Sequence, residues 1–103
     1  MKSLRDMSVL ITGGGSGIGE GTARYLIERG ARVTICGRRA DRIQKVADSL
    51  GPECKATPGD ITISADRARI VEAAITHGGG LHGLVNNAGN MYRGPLSALQ
   101  EDE

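Results

Sequence analysis

Ser8-Val9-Leu10-Ile11-Thr12-Gly13-Gly14-Gly15-Ser16-Gly17-Ile18-Gly19 is the stretch on which the fold turns. Its first five residues form a short apolar run without polar alternation, which suits a strand covered on both faces. The run stops at glycines, and beyond them the period changes. Ile18, Thr22 and Leu26, with Ala23 and Ile27, recur at four-residue spacing and predict a helix ending near Gly30. A strand that turns through glycines into a helix makes an anion site. The first helical N–H groups are unpaired there and carry partial positive charge. Glycine at 13 permits the sharp turn, while Gly17 and Gly19 let backbone approach a pyrophosphate without an intervening Cβ.

The alternation continues outward from this junction. Arg32-Val33-Thr34-Ile35-Cys36 is a second β-branched run, and Ile43, Val46, Ala47 and Leu50 mark a second helix closed by Gly51-Pro52. A weaker third strand, Cys54 to Thr57, precedes Pro58-Gly59-Asp60. Ile70, Val71, Ala74 and Ile75 place an apolar stripe on a third helix, with Ser64 as its expected cap and Gly78-Gly79-Gly80 as its stop. Leu84-Val85-Asn86 is a fourth strand, and Pro95 can open a last helix. Strand and helix alternating in this way predict an α/β fold, a three-layer doubly wound parallel sheet. The expected strand order is 3-2-1-4, with the first two helices on one face and the next two on the other. No repeat, linker or domain boundary is visible, so residues 1–103 read as one domain.

Composition agrees with a sheet buried on both faces. There is no Phe or Trp and there are only two Tyr, so Val, Ile, Leu and Ala must build the core. Glycine supplies 16 of 103 residues, roughly twice the usual share of about 7%. The net charge of +1 argues against a nucleic-acid or membrane-surface partner recruited by bulk charge. The charge is uneven, however. Residues 1–50 carry nine basic and five acidic groups, and the rest four and seven, so the first half suits a phosphorylated ligand. No membrane span or signal peptide is indicated. Cys36 and Cys54 are too few for a disulfide framework and read as small buried hydrophobes in a reducing compartment, so a cytoplasmic location is expected. His77 and His82 lack partners at metal-ligand spacing and read as solvent-facing or loop residues.

A strict GxGxxG string occurs once, at Gly78-Gly79-Gly80-Leu81-His82-Gly83. It follows a helix and precedes a strand, the wrong order for a dinucleotide loop. The first loop has the right context and a different spacing: Thr12-Gly13-x-x-x-Gly17-x-Gly19. That pattern resembles the cofactor loop of the short-chain dehydrogenase/reductase family. Asn86-Asn87-Ala88-Gly89 is similar to the family's second signature, and Asp60 after the third strand to another. The resemblance covers essentially the whole chain but only the first, cofactor-binding part of that family's NAD(P)-binding Rossmann-like domain, which implies that residues 1–103 are a single partial domain truncated after the fourth strand.

What the resemblance implies is specific. Gly13, Gly17 and Gly19, with Ser16 and Ile18, would line the pyrophosphate and neighbouring ribose. Asp60 would accept from the adenine amino group, with Ile61 adding a backbone N–H; the alternative for Asp60 is an ordinary turn residue in Pro-Gly-Asp. Asn86 would brace the central strands, and Asn87, Ala88 and Gly89 would pass beside the adenosine ribose. His82 stands where relatives usually carry an acidic residue.

Gly37-Arg38-Arg39 falls at the end of the second strand, about 20 residues beyond the loop, where an acidic residue would hold the free 2′-hydroxyl of NAD. Guanidinium groups there can take a 2′-phosphate, so NADP is expected over NAD, unless Arg38 and Arg39 merely begin a solvated helix. Family chemistry is carbonyl–alcohol hydride transfer by a Ser, a Tyr and a Lys four residues after that Tyr. Neither tyrosine qualifies, since Arg29 follows Tyr25 and Leu96 follows Tyr92 at that spacing. The chain therefore reads as the cofactor-binding half of an oxidoreductase acting on a small-molecule carbonyl or alcohol, a homo-oligomer when complete. Alone it is expected to be inactive. A non-catalytic nucleotide-binding or scaffold module is the alternative; a P-loop protein is not, because GxxxxGK[ST] is absent.

Overall fold

The computed structural model describes residues 4–87. Seven elements follow one another: β1 (Ser8–Thr12), α1 (Gly17–Glu28), β2 (Arg32–Gly37), α2 (Ala40–Leu50), β3 (Cys54–Pro58), α3 (Ser64–Gly78) and β4 (Gly83–Asn86). The strands form one parallel sheet in the order β3-β2-β1-β4, as the alternation predicts. The helix expected after Pro95 lies outside the described residues.

Each inner strand sends alternate side chains to opposite faces, and both faces are covered. Val9, Ile11, Val33 and Ile35 pack with Ala23 of α1 and with Ile43, Val46 and Ala47 of α2. Leu10 and Cys36 point the other way, against Ile70 and Ala74 of α3. This double coverage is why β1 reads as an unbroken apolar run: all five of its residues are buried. Burial of a side chain such as Ile11 or Ile35 contributes about 1.5–3 kcal/mol.

Register fixes which residues share an end of the sheet. Thr12 lies opposite Cys36 on one side and Asn86 on the other, and Gly37 lies opposite Pro58. The glycine loop, the Gly37-Arg38-Arg39 turn, the Pro58-Gly59-Asp60 turn and Asn87 therefore leave the sheet at the same, carboxyl-terminal edge. The strand order reverses between β1 and β4, so connections diverge there and leave a crevice.

Several local expectations change in the folded chain. Ile18 does not belong to the buried stripe of α1; it is 69% exposed, because the small residues Gly19 and Ala23 are the ones turned to the sheet. Val71 and Ile75 are likewise exposed, leaving Ile70 and Ala74 as the buried face of α3. Ser64 does not cap α3. Ile63 occupies the N-cap without a side-chain hydrogen bond, and the preceding turn is held by Asp60 and Asp66 instead. Gly79 ends that helix in the left-handed conformation, as the triple glycine predicts.

His82 is also more than a loop residue. Its Nδ1 accepts the N–H of Ser8 at 2.9 Å, while the His82 backbone N–H donates to the Ser8 carbonyl at 2.8 Å. The imidazole thus supplies, at the start of β1, the acceptor that a carboxylate could supply. His77 pairs through Nε2 with the Glu53 carbonyl at 2.9 Å. Both cysteines are free and buried, and burial pushes their thiols up to about 11, so they remain neutral.

Candidate functional site

The loop between β1 and α1 is built around two residues of one type. Gly13 takes φ of 69°, which lets the chain reverse at the end of the strand. Gly19 approaches it closely: a Cβ there would lie 2.5 Å from the Gly13 carbonyl oxygen and 2.9 Å from Gly14 Cα. Ser16 is the N-cap of α1, its Oγ accepting from Gly19 N at 3.0 Å. The same hydroxyl donates to the Gly13 carbonyl at 3.1 Å and accepts from Asn87 Nδ2 at 2.9 Å. All three positions of a hydroxyl are thereby filled. The N–H groups of Gly17 and Ile18 have no acceptor among the described residues and stand at the positive end of the helix.

Thr12 and the two asparagines tie this loop to β4. Asn87 N–H donates to Thr12 Oγ1 at 2.8 Å, and Thr12 Oγ1 donates to Asn86 Oδ1 at 3.0 Å. Asn87 Nδ2 also donates to the Gly13 carbonyl at 3.1 Å. Asn86 braces the central strands as its resemblance implies, and the Asn87 amide acts mainly by holding the glycine loop. Sequence reading passes over Thr12 as a loop anchor; its signal is a Thr at the last strand position, level with the first Asn in the register.

Beside the loop is a cleft of about 390 Å³. Gly13, Ser16, Arg38, Arg39, Asp60, Ile61 and Asn87 line it, so seven of the expected site residues converge on one space. Gly17, Ile18 and Gly19 stand beside it at the start of α1 and do not line it. Ala88 and Gly89 lie outside the described residues. Arg42, Ile43, Cys36 and Thr62 are also among the lining residues, none of them expected there from the sequence. For Arg42 the available signal is its spacing: it falls one turn into α2, close behind Arg38 and Arg39.

Charge in the cleft is organised. Arg39 pairs loosely with the exposed Asp41 at 3.9 Å, a contact worth little in water. Asp60 Oδ1 accepts from Thr62 Oγ1 at 2.6 Å and Thr62 N at 2.9 Å. These bonds, led by the hydroxyl and helped by the nearby Arg38 charge, hold the Asp60 carboxyl below its ordinary value. The turn reading of Asp60 and its place in the cleft both hold, because the same residue makes the turn and lines the space. A depressed carboxyl stabilises the fold above the ordinary carboxylate range, and that contribution is lost as pH falls through the lowered value. Replacing Thr62 by valine removes the leading hydrogen bond. The Asp60 titration midpoint, followed by carboxyl carbon NMR, should then move upward, and an unmoved midpoint would show that the hydroxyl is not responsible. Among the described residues no cluster of His, Cys, Asp and Glu could hold a metal ion, and no helix is long and apolar enough to cross a membrane.

The family model for short chain dehydrogenases matches residues 7–103. The chain belongs to the short chain dehydrogenase family. Among curated relatives, an uncharacterized oxidoreductase of Listeria innocua is 37% identical over 98% of the chain and 42% of its own length. Another, of Staphylococcus aureus, is 38% identical over the whole chain and 45% of its own length. The chain thus spans less than half the length of these relatives. Solved structures agree in fold. The 3-ketoacyl-(acyl-carrier-protein) reductase of Brucella melitensis complexed with NADH superposes with a TM-score of 0.77 at 39% identity, over 80% of this chain and 34% of that one. The glucose dehydrogenase of Caenorhabditis elegans in its apo form gives 0.78 at 25% identity, over 97% and 43%. The family and the doubly wound sheet expected from the sequence are therefore both present in this chain.

Proposed function

We propose that these residues are the cofactor-binding part of an NAD(P)-dependent oxidoreductase that interconverts a small carbonyl compound and an alcohol, with NADP preferred over NAD. The observation that carries the reading is the cleft at the carboxyl ends of the strands, with a capped glycine loop on one side and arginines on the other. The residues fit a dinucleotide. Gly19, lacking a Cβ, lets the Gly13–Gly14 backbone close against the start of α1, and the Gly17 and Ile18 N–H groups suit a pyrophosphate. Asp60, Ile61, Arg38 and Arg39 line the same cleft; in this reading Asp60 and Ile61 would read an adenine edge, and the arginines would meet a ribose 2′-phosphate.

The cofactor would supply the hydride; this chain's residues would bind and orient it. Proton transfer to the forming alkoxide needs an acid, and these 103 residues hold no Tyr with Lys four positions later. The NADH bound by the Brucella reductase supports a nicotinamide dinucleotide in this site. The preference for the 2′-phosphate rests on Gly37-Arg38 in place of an acidic residue.

The test is the double variant Gly37→Asp with Arg38→Ala, titrated with NADPH and NADH. Losing a charge-assisted bond and gaining a carboxylate should move the NADPH:NADH affinity ratio toward NADH by roughly 10- to 100-fold. An unchanged ratio would overturn the preference.

A further inference from the structure

We infer that Asp66 and Arg69, two residues of α3 that do not line the cleft, are positioning residues that set how the cleft reads the base of a dinucleotide. The inference rests on the dinucleotide reading above and adds to it the groups that hold the base-reading turn. Asp66 Oδ2 accepts the backbone N–H of Asp60 at 2.8 Å. Arg69 Nη2 donates to the Pro58 carbonyl at 2.7 Å and lies 3.5 Å from Asp66 Oδ1. Standing one turn apart near the start of α3, the two side chains bracket Pro58-Gly59-Asp60 on either side of Gly59. Gly59, Asp60, Ile61 and Thr62 line the cleft, so the bracket reaches it through the turn.

Gly59 is what lets the bracket close. A Cβ there would lie 2.7 Å from Arg69 Nη2, 3.0 Å from Ile70 Cδ1 and 3.5 Å from Asp66 Cβ. The Gly59 N–H donates to the Gly37 carbonyl at 2.9 Å, so the turn is fixed to the end of β2 as well as to α3. Within the turn, Thr62 takes Asp60 Oδ1 and the Ile63 N–H takes the Asp60 carbonyl. Asp60 Oδ2 and the Ile61 N–H make no hydrogen bond among the described residues. An acceptor and a donor on adjacent residues complement the amino group and ring nitrogen of adenine. Hypoxanthine carries a carbonyl and a ring N–H in their place and inverts the pattern. Moving the Asp60 backbone would displace both groups, so the bracket fixes their placement without touching a ligand.

NMR titration of the chain with 5′-AMP and 5′-IMP, which differ only in the base, measures the base preference, and amide hydrogen exchange measures the turn itself. Asp66→Ala should speed exchange of the Asp60 amide and lower the AMP:IMP affinity ratio, each by roughly 10-fold. Arg69→Met keeps an apolar stem, removes the donor to Pro58, and should lower the ratio by roughly three-fold or more. It tests the bracket even where Asp66→Ala does not fold. Asp66→Asn removes the charge from the first turn of α3 but keeps an oxygen that can accept from Asp60. It should therefore hold the ratio within about two-fold of wild type. A ratio as low in Asp66→Asn as in Asp66→Ala would assign the effect to helix charge and overturn the inference. So would a wild-type ratio in both Asp66→Ala and Arg69→Met, or an unchanged Asp60 exchange rate in Asp66→Ala. A wild-type chain that binds neither mononucleotide nor NADPH and NADH would instead overturn the dinucleotide reading, and the inference with it, even with Asp60 exchange accelerated in Asp66→Ala.

Discussion

Gly19→Ala should weaken NADPH and NADH binding together by roughly 100-fold. The added Cβ would stand 2.5 Å from the Gly13 carbonyl oxygen, 2.9 Å from Gly14 Cα and 3.2 Å from Asn87 Nδ2. Two of these are backbone atoms of a tight turn, so no flexible side-chain end can swing aside. The Gly13 carbonyl accepts from Ser16 N, Ser16 Oγ and Asn87 Nδ2, and moving it loosens the bonds that join the loop to β4. Misplacement of about 1 Å in a positioned group typically costs a hundredfold. Overpacking of this kind also lowers stability by about 1–3 kcal/mol. Gly17→Ala is the control for the fold, because its Cβ meets nothing within 4 Å of the protein. Titration and thermal melts of both variants check the claim. Wild-type affinity in Gly19→Ala would mean that the loop does not hold the dinucleotide.

The largest loss of stability should follow Ile35→Ala, at about 2–5 kcal/mol. Ile35 is fully buried on β2, an inner strand flanked by β1 and β3, and packs in the cluster that joins the sheet to α1 and α2. Neighbours on both sides are fixed by the parallel ladder, so the hole left by the three missing carbons cannot close freely. Domains of this size are stable by only about 5–15 kcal/mol, so the variant should be partly unfolded well below the wild-type midpoint. Ile35→Val removes one methylene and should cost about 0.5–1.5 kcal/mol. Urea unfolding followed by circular dichroism distinguishes them. An Ile35→Ala midpoint equal to wild type would contradict the packing described for this face.

The elements and their order were legible because their causes are local. A doubly covered strand must be apolar at successive positions, as in Ser8–Thr12, and a helix beside it must repeat its apolar residues every three or four positions. Chain polarity then did the rest: crossover helices between strands imply parallel pairing, and with it a glycine loop at the carboxyl end of β1. The lining of the candidate cleft was legible to the same extent. Gly13, Ser16, Arg38, Arg39, Asp60, Ile61 and Asn87 could be named because each follows a strand, and all strands of a parallel sheet end on one edge.

Other features depended on contacts that no local pattern encodes. The Asn87 amide meets the Gly13 carbonyl across 74 residues and Ser16 across 71, through the register of β1 against β4. His82 meets Ser8 across the same strand pair. Arg42 reaches the cleft because α2 settles against the glycine loop at Gly15, and Ile18 is exposed because Gly19 and Ala23 let α1 lie close to the sheet. The sequence by itself determined the alternation, the parallel sheet and the glycine turn, since these follow from periodicity and backbone freedom within a few residues. Only the tertiary structure decided which polar groups meet, because hydrogen bonds and ion contacts act over about 3–4 Å, and that proximity arises only after strands are registered and helices are seated.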